Sequence, residues 1–342
     1  MIRVLHLLDD IRVGGITKGL PEHLRHLSDG FAHRVESVNT AFALSGPIDA
    51  DMVVIHFTVS WAKLPFMLSL RARLGRRPLI VAEHSYTEMY EKLRVPVRAR
   101  FRTMLRISLG LADHVVAVSR AQGTWLRDAK IVRSNRLTAI PQGRDLSALR
   151  GILPPVAHTG PLRLGAYGRF VDQKGFDILI EAMRLVPADV ATLDIAGYGE
   201  DRDALIAAAA DLDHVRIGGP IAGPAEFLAS VDAIAIPSRW EAFGLVGAEA
   251  RAAARPVVAT AVDGLVEQIQ PEWGALCRPK DPMALAAAIR SLAGRDLAAM
   301  GEAGRRSVQP EFGRTIAGWY AVLHAMAAKL PKTQTARWGA AA

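Results

Sequence analysis

What most constrains this chain is an alternation of short apolar runs with helix-length stretches that restarts once, near the middle. In the first half the runs lie at 4–8, 34–38, 52–56, 79–82, 114–118 and 137–140. They are continuous in apolar character rather than alternating, which marks parallel strands covered on both faces. Helical spacing fills the gaps, for example over 17–27 and 99–111. Residues 151–161 then hold three prolines and two glycines and read as a linker. Beyond it the runs resume at 162–167, 191–196, 214–217, 233–236, 256–259 and 274–277, with helices expected over 176–185, 203–210, 245–254 and 282–293. The pattern implies two doubly wound α/β domains, 1–155 and 156–312. A helix over 313–330 is expected to stay with the second domain or to pack back on the N-terminal one. The tail 331–342 lacks an apolar face and reads as frayed.

With 342 residues, half of them hydrophobic, the chain can bury two cores without disulfides or metals. Its one cysteine, Cys277, permits no intramolecular disulfide and fits a reducing, cytoplasmic setting. The apolar start is too short for a signal peptide and turns acidic at Asp9. The most apolar long stretch, 52–70, is broken by His56, Lys63 and Pro65, so no spanning helix is expected. Charge is uneven. Residues 1–160 carry 23 Lys/Arg against 13 Asp/Glu, and the remainder 19 against 21. A basic first half points to an anionic partner, although solubility alone explains such an excess equally well.

In open parallel sheets, ligands sit beyond the carboxyl ends of strands. Gly14 and Gly15 follow the first run; a tight turn explains them as well as a ligand does. His84 ends another strand and reads alone as a capped loop residue. Arg169 and Lys174 lie in the loop that opens the second domain. Two cations ahead of a helix oppose its dipole unless an anion joins them; a diphosphate would suit. Gly197 stands in Gly197-Tyr198-Gly199, a turn at a strand end, and 216–219 is another strand end where backbone groups could meet a base.

The most informative segment is 238–249. Glu241 precedes a helix, and Glu249 lies about two turns into it. It shares an apolar face with Leu245, Ala248 and Ala252. An inward carboxylate is costly without donors, and ribose hydroxyls are suitable ones. The helix start at Phe243, Gly244 and Leu245 offers free N–H groups to a phosphate.

On these residues the chain resembles the family 4 retaining glycosyltransferases of the GT-B fold, two Rossmann-like domains facing a central cleft. The Glu-x7-Glu pair matches at Glu241 and Glu249, followed by Pro256-Val257-Val258-Ala259-Thr260. The basic pair matches at Arg169 and Lys174, and Gly14-Gly15, His84 and Gly197-Tyr198-Gly199 fall at family positions. The resemblance implies an enzyme that moves a sugar from a UDP- or GDP-sugar to a lipid-linked or polysaccharide acceptor, in cell-envelope glycan synthesis. It implies that Glu249 holds the donor ribose and that Arg169 and Lys174 neutralise the leaving diphosphate without a metal or other cofactor. Glu241 and His84 would contact the transferred sugar, and Gly15 would admit the donor's phosphate. One departure stands out: where the family often has a Gly-Gly pair, this chain has Asp263-Gly264. The Asp-x-Asp sequences at 201–203 and 211–213 fall at a surface helix and are rejected as metal ligands. A nucleotide-sugar epimerase of the same build and a non-catalytic partner subunit are the alternatives.

Arg94, Arg98, Arg102 and Arg106 recur every fourth residue, with Arg100 beside them and a Pro96 within the series that is expected to start a helix. They form a basic stripe that could lie on anionic lipid, or could equally be a solvated face of a helix packed on its own sheet. No aromatic interleaving accompanies the charge, so nucleic acid is not expected. The expected location is cytoplasmic, with peripheral contact at the inner face of the membrane.

Overall fold

The structure is a computed structural model that describes residues 1–9, 15–44 and 46–330, with residues 15–18 as backbone only. It divides into two compact units, Met1–Arg144 with the chain from Gly313 onward, and Asp145–Phe312.

The first unit holds strands β1 (Ile2–Leu8), β2 (Phe31–Ser37), β3 (Met52–Ile55), β4 (Leu79–Glu83), β5 (His114–Ala117) and β6 (Leu137–Ala139). Its helices are α1 (Gly15–His26), α2 (Leu64–Leu74), α3 (Glu88–Arg94), α4 (Arg98–Gly110) and α5 (Arg120–Asp128). The sheet is parallel, in the order β2-β1-β3-β4-β5-β6. Alternate residues of each strand feed opposite faces. Leu5, Leu7, Val53, Ile55, Leu79 and Val81 pack with α2, α4 and α5. Val4, Met52, Val54, Ile80 and Ala82 pack instead with Leu27 and with Val322, Leu323 and Met326 of the last helix, α12 (Glu311–Ala327). That helix supplies a cover for the second face, so the helix expected over 313–330 packs inside the first unit.

The second unit holds β7 (Leu162–Arg169), β8 (Ala191–Tyr198), β9 (Val215–Ile217), β10 (Ala233–Ile236), β11 (Val257–Thr260) and β12 (Gly274–Cys277). Its helices are α6 (Phe176–Met183), α7 (Arg202–Ala209), α8 (Pro224–Ser230), α9 (Leu245–Ala252), α10 (Pro282–Ala293) and α11 (Leu297–Val308). The order β12-β11-β10-β7-β8-β9, again parallel, is the doubly wound arrangement.

Two local readings change. The segment 145–155, assigned by sequence to the first domain, groups with the second unit. There Arg255 donates to the Leu153 carbonyl at 2.9 Å, and Arg305 donates to that of Ile152. The helix expected to begin at Pro96 starts two residues later, and Arg94 belongs to a separate helix, α3, that ends before the proline. Val95 is extended ahead of the proline, because the proline ring disfavours a helical residue before it, and α4 begins only at Arg98. The tail 331–342 lies outside the described residues.

Candidate functional site

In each sheet one pair of neighbouring strands sends its connections in opposite directions, β1/β3 in the first unit and β7/β10 in the second. Such switch points open a crevice at the strands' carboxyl ends. Arg169, Lys174, Glu241 and Glu249 fall at or next to the second of these places, while His84 follows β4, beside β3, and Gly197 lies near the end of β8, beside β7.

In the second unit, β7 ends at Arg169 and the chain turns through Gly175, whose φ of +64° is left-handed. A Cβ there would stand 2.3 Å from the Pro237 carbonyl oxygen, so only glycine lets this loop lie against the segment after β10. The Arg239 N–H donates to the Gln173 carbonyl at 2.8 Å, and its guanidinium grips Asp177 at 2.6 and 2.9 Å. The two loops are thus locked together, and Lys174 Nζ forms an ion pair with Glu241 Oε2. Part of the conflict between a cationic loop and the helix dipole is therefore answered inside the chain, by Glu241. Arg169 is exposed and has no hydrogen-bond or ion-pair partner among the described residues.

Glu241 is fixed through its backbone. Its N–H donates to Asp263 Oδ2 at 3.2 Å, and its carbonyl accepts from Gly264 N–H at 3.0 Å. Asp263 takes a φ of +37°, a left-handed conformation that a glycine would adopt without strain. The departure from the family's glycine pair therefore keeps the glycine's backbone shape and adds a carboxylate that holds Glu241.

Helix α9 begins after Gly244, at φ +95°, with no side-chain cap. Gly247 N–H donates back to the Gly244 carbonyl at 2.9 Å, and the N–H groups ahead of it, at Leu245 and Val246, have no acceptor within the helix, which suits an anion. Behind this end, Gln268 donates to the carbonyls of Phe243 and Gly244. Gln268 Oε1 in turn accepts from Arg251 at 3.1 Å. Arg251 is 1% exposed and also grips Glu311 and Ser307. Neither Gln268 nor Arg251 stood out in the sequence, since an Arg on an alanine-rich helix reads as solvated.

Glu249 is half-buried, as its helix face implied, but its donor is internal. The Tyr167 hydroxyl donates to Glu249 Oε2 at 2.6 Å. An inward carboxylate here does not by itself demand a ribose, and that step of the sequence argument is corrected. Gly197 likewise has a reason within the chain: a Cβ would stand 1.9 Å from the Gly168 carbonyl oxygen, so close strand-end packing requires the glycine.

In the first unit, Gly14 lies outside the described residues and Gly15 is the first residue of α1. His84 follows β4 and borders a cavity of about 40 Å³ that is also lined by His6, His23, His56, Gln142 and Trp319. Its turn is held by buried Glu83, whose Oε1 accepts from the N–H groups of Ser85 and Tyr86 at 2.8 and 3.0 Å. Burial pushes the Glu83 carboxyl above its ordinary range. His84 Nε2 and His56 Nδ1 are 3.3 Å apart, and His56 Nε2 lies 2.9 Å from His6 Nδ1. Burial, reinforced by neighbouring imidazoles, holds His6 at about 3 and His84 at about 4 and depresses His56 strongly, so the rings are neutral. His84 Nδ1 is enclosed and meets no hydrogen-bond partner among the described residues. A buried polar atom left so costs about 1–3 kcal/mol.

The basic stripe is less free than its spacing implied. Arg94 closes α3 and is not on α4. Arg102 pairs with buried Glu91 at 2.5 and 3.0 Å, and Arg106 donates to the carbonyls of Ala129 and Lys130 past the end of α5. Arg98 and Arg100 remain exposed without a hydrogen-bond or ion-pair partner among the described residues. Among those residues no group of three or more His, Cys, Asp or Glu could hold a metal ion, and no helix is long and apolar enough to cross a membrane.

Two family models match, Glycosyltransferase Family 4 over residues 13–148 and Glycosyl transferases group 1 over residues 161–295. D-inositol 3-phosphate glycosyltransferase 1 of Catenulispora acidiphila is 29% identical over 320 residues, covering 84% of this chain and 74% of that one. Glycogen synthase of Mycobacterium tuberculosis is 36% identical over 151 residues, 39% of this chain, and the chain spans 34% of that protein's length. Among solved structures, Anabaena HepE in complex with UDP and glucose superposes with a TM-score of 0.73 at 19% identity, covering 95% of this chain and all of that one. With a family match in each half of a chain built on two parallel six-stranded sheets, the chain belongs to the family 4 glycosyltransferases of the GT-B fold.

Proposed function

We propose that the protein is a retaining glycosyltransferase that moves a sugar from a UDP- or GDP-sugar to a lipid-linked or polysaccharide acceptor in cell-envelope glycan synthesis. The observation that carries this is the β7/β10 switch point. An uncapped helix end, an exposed Arg169 and the Lys174–Glu241 pair stand there on loops that Gly175 and Arg239 hold together. As the donor's anomeric bond breaks, negative charge grows on the departing diphosphate. Fixed amides and cations aimed at that charge stabilise the transition state more than the ground state. Arg169 and Lys174 fill this role in our reading, with no metal required. Glu249 accepts from a ribose hydroxyl while Tyr167 steadies it, and Glu241, freed from Lys174 as the phosphate arrives, meets the sugar. The UDP and glucose held by HepE support the donor class. The names of the relatives, acting on inositol phosphate and on glycogen, support a hydroxyl acceptor.

The decisive experiment is a thermal-shift screen with UDP, GDP and ADP. A nucleotide at a hundred times its dissociation constant stabilises by about 2.7 kcal/mol. Glu249→Ala is expected to abolish that gain, and no shift with any of the three removes the reading. For peripheral attachment in the cytoplasm the proposal now rests on Arg98 and Arg100. Reversing both charges should release the protein from vesicles containing anionic phosphatidylglycerol.

A further inference from the structure

Four histidines on four adjacent strands of the first sheet form one unbroken run of ring-to-ring hydrogen bonds. His33 lies on β2, His6 on β1, His56 directly after β3 and His84 directly after β4. At the far end His33 Nε2 stands 2.8 Å from the Leu27 carbonyl oxygen. A carbonyl only accepts, so the proton is on His33 Nε2 and His33 Nδ1 is bare. His6 Nε2, 3.0 Å away, must then donate to it. That leaves His6 Nδ1 bare to accept from His56 Nε2, and His56 Nδ1 bare to accept from His84 Nε2. Each neutral imidazole has one donor and one acceptor nitrogen, so a single carbonyl at one end sets the tautomer of all four. The last bare nitrogen is His84 Nδ1, the enclosed atom without a partner beside the cavity.

We infer that this run is a tautomer lock: His33, His6 and His56 are positioning residues that oblige His84 to present a hydrogen-bond acceptor, and only an acceptor, to a hydroxyl of the bound ligand. Neutrality of the rings is required, and burial supplies it. The identity of the hydroxyl, one on the transferred sugar, rests on the glycosyltransferase reading; the lock itself does not. Its consequence is selectivity. A sugar with a hydroxyl at the contacted carbon donates to His84. A fluorine there can only accept, and it meets a lone pair. A site built to pair with a hydroxyl discriminates strongly against analogues without one.

Two substitutions at the half-exposed far end separate the lock from mere packing. In His33→Gln the side-chain amide donates to Leu27 and its oxygen accepts from His6, so the direction of the run is kept. In His33→Lys the ammonium can only donate, which forces His6 Nε2 to accept and reverses every bond, placing a proton on His84 Nδ1. The experiment is nitrogen NMR of the full chain with ¹⁵N-labelled histidine near neutral pH, together with donor kinetics.

The expected result is a bare Nδ1 and a protonated Nε2 on all four rings in the wild type and in His33→Gln, with reversal at His84 in His33→Lys. A hydroxyl also accepts, so in His33→Lys it still pairs with His84 Nδ1–H and the readout is selectivity: the kcat/KM preference for the hydroxyl over the fluoro donor should fall about three- to tenfold, as for one neutral hydrogen bond, while His33→Gln keeps the wild-type preference. A proton on His84 Nδ1 in the wild type overturns the lock. So does a His33→Lys protein that keeps the His84 tautomer. If no nucleotide sugar is turned over or bound, the proposed function fails, and the spectra still decide the lock.

Discussion

The two switch points have the same topology and opposite furnishings. In the first unit the run of imidazoles, bonded to one another and kept uncharged by burial, dominates, with one ion pair, Lys63 on Asp9, at its rim. In the second they are ions: Lys174 on Glu241, Arg239 on Asp177, and Arg251 on Glu311 behind the helix end. The difference follows from what surrounds each set. The imidazoles lie across the sheet itself, between apolar neighbours, where a charge would have no counter-ion. The ions sit on loops and on a helix whose ends expose polar backbone. The contrast teaches that one doubly wound frame can carry a run of neutral hydrogen-bonding rings at one switch point and mainly paired ions at the other.

The sharpest way to break this comparison is to remove an ion whose role is structural. Arg251→Ala would leave Glu311 and Gln268 without their shared partner. Deleting one member of a buried pair costs about 3–5 kcal/mol, read as a lower urea midpoint. A loss below about 1 kcal/mol would mean that the ionic framework behind α9 is ornamental, because surface pairs are worth no more than that. Next comes Lys174→Met. If the pair serves a leaving group, kcat/KM should fall by about 10²–10³, the usual loss for one charge-stabilising donor. Lys174→Arg should recover part of it. Equal damage to stability and to rate would reassign the lysine to folding.

Acid should separate the units. The values of about 3 for His6 and about 4 for His84 lie below the ordinary 6.5, so the unfolded chain takes up protons first as pH falls. Stability from keeping these rings neutral is complete above pH 6.5 and is lost as pH drops towards those lower values. For fully buried His6 the slope is about 1.4 kcal/mol per pH unit, or about 2 kcal/mol by pH 5. The second unit behaves differently. Burial acts to raise the Asp177 and Asp232 carboxyls, but bonds from Arg239 and Arg163 outweigh it and hold both below their ordinary range. Their contribution, present above about pH 4, is lost only at lower pH. Amide exchange compared at pH 7 and pH 5 should therefore show protection lost in β1, β3 and β4 while β7, β8 and β10 keep theirs. Parallel loss in both sheets would refute the contrast.

Much of this was legible in the sequence because parallel strands covered on both faces write themselves as continuous apolar runs. All twelve strands lie where such runs stand. The edge strand β2 begins three residues before the run that marked it, because exposed Ala32 and polar His33 interrupt the apolar pattern after buried Phe31. Glu241 and Lys174 were legible as a pair of motifs but not as partners. The tyrosine on Glu249, the Arg251 hub and the histidine run were not legible at all. Each joins residues on separate strands or helices, and only strand order, which no local spacing encodes, brings them together.

The smallest effect is expected at the residue that departs most plainly from the family pattern. Asp263 holds a left-handed backbone that costs a non-glycine residue about 1–2 kcal/mol. Its carboxylate offsets that by accepting from Glu241 N–H at 3.2 Å, a long charge-assisted bond at the low end of about 1.5–3 kcal/mol. Asp263→Gly removes both terms, so stability should move by less than about 1 kcal/mol in either direction. The sensitive quantity is function. With its backbone tether gone, Glu241 is free to drift from the ion pair with Lys174, so the KM for donor should rise while the melting temperature hardly changes. Asp263→Asn, which keeps an acceptor at the same place, should leave KM near the wild-type value. If Asp263→Gly lowers KM instead, the carboxylate acts on the bound donor by repulsion rather than through Glu241, and the second unit's charges would then include one that opposes its ligand.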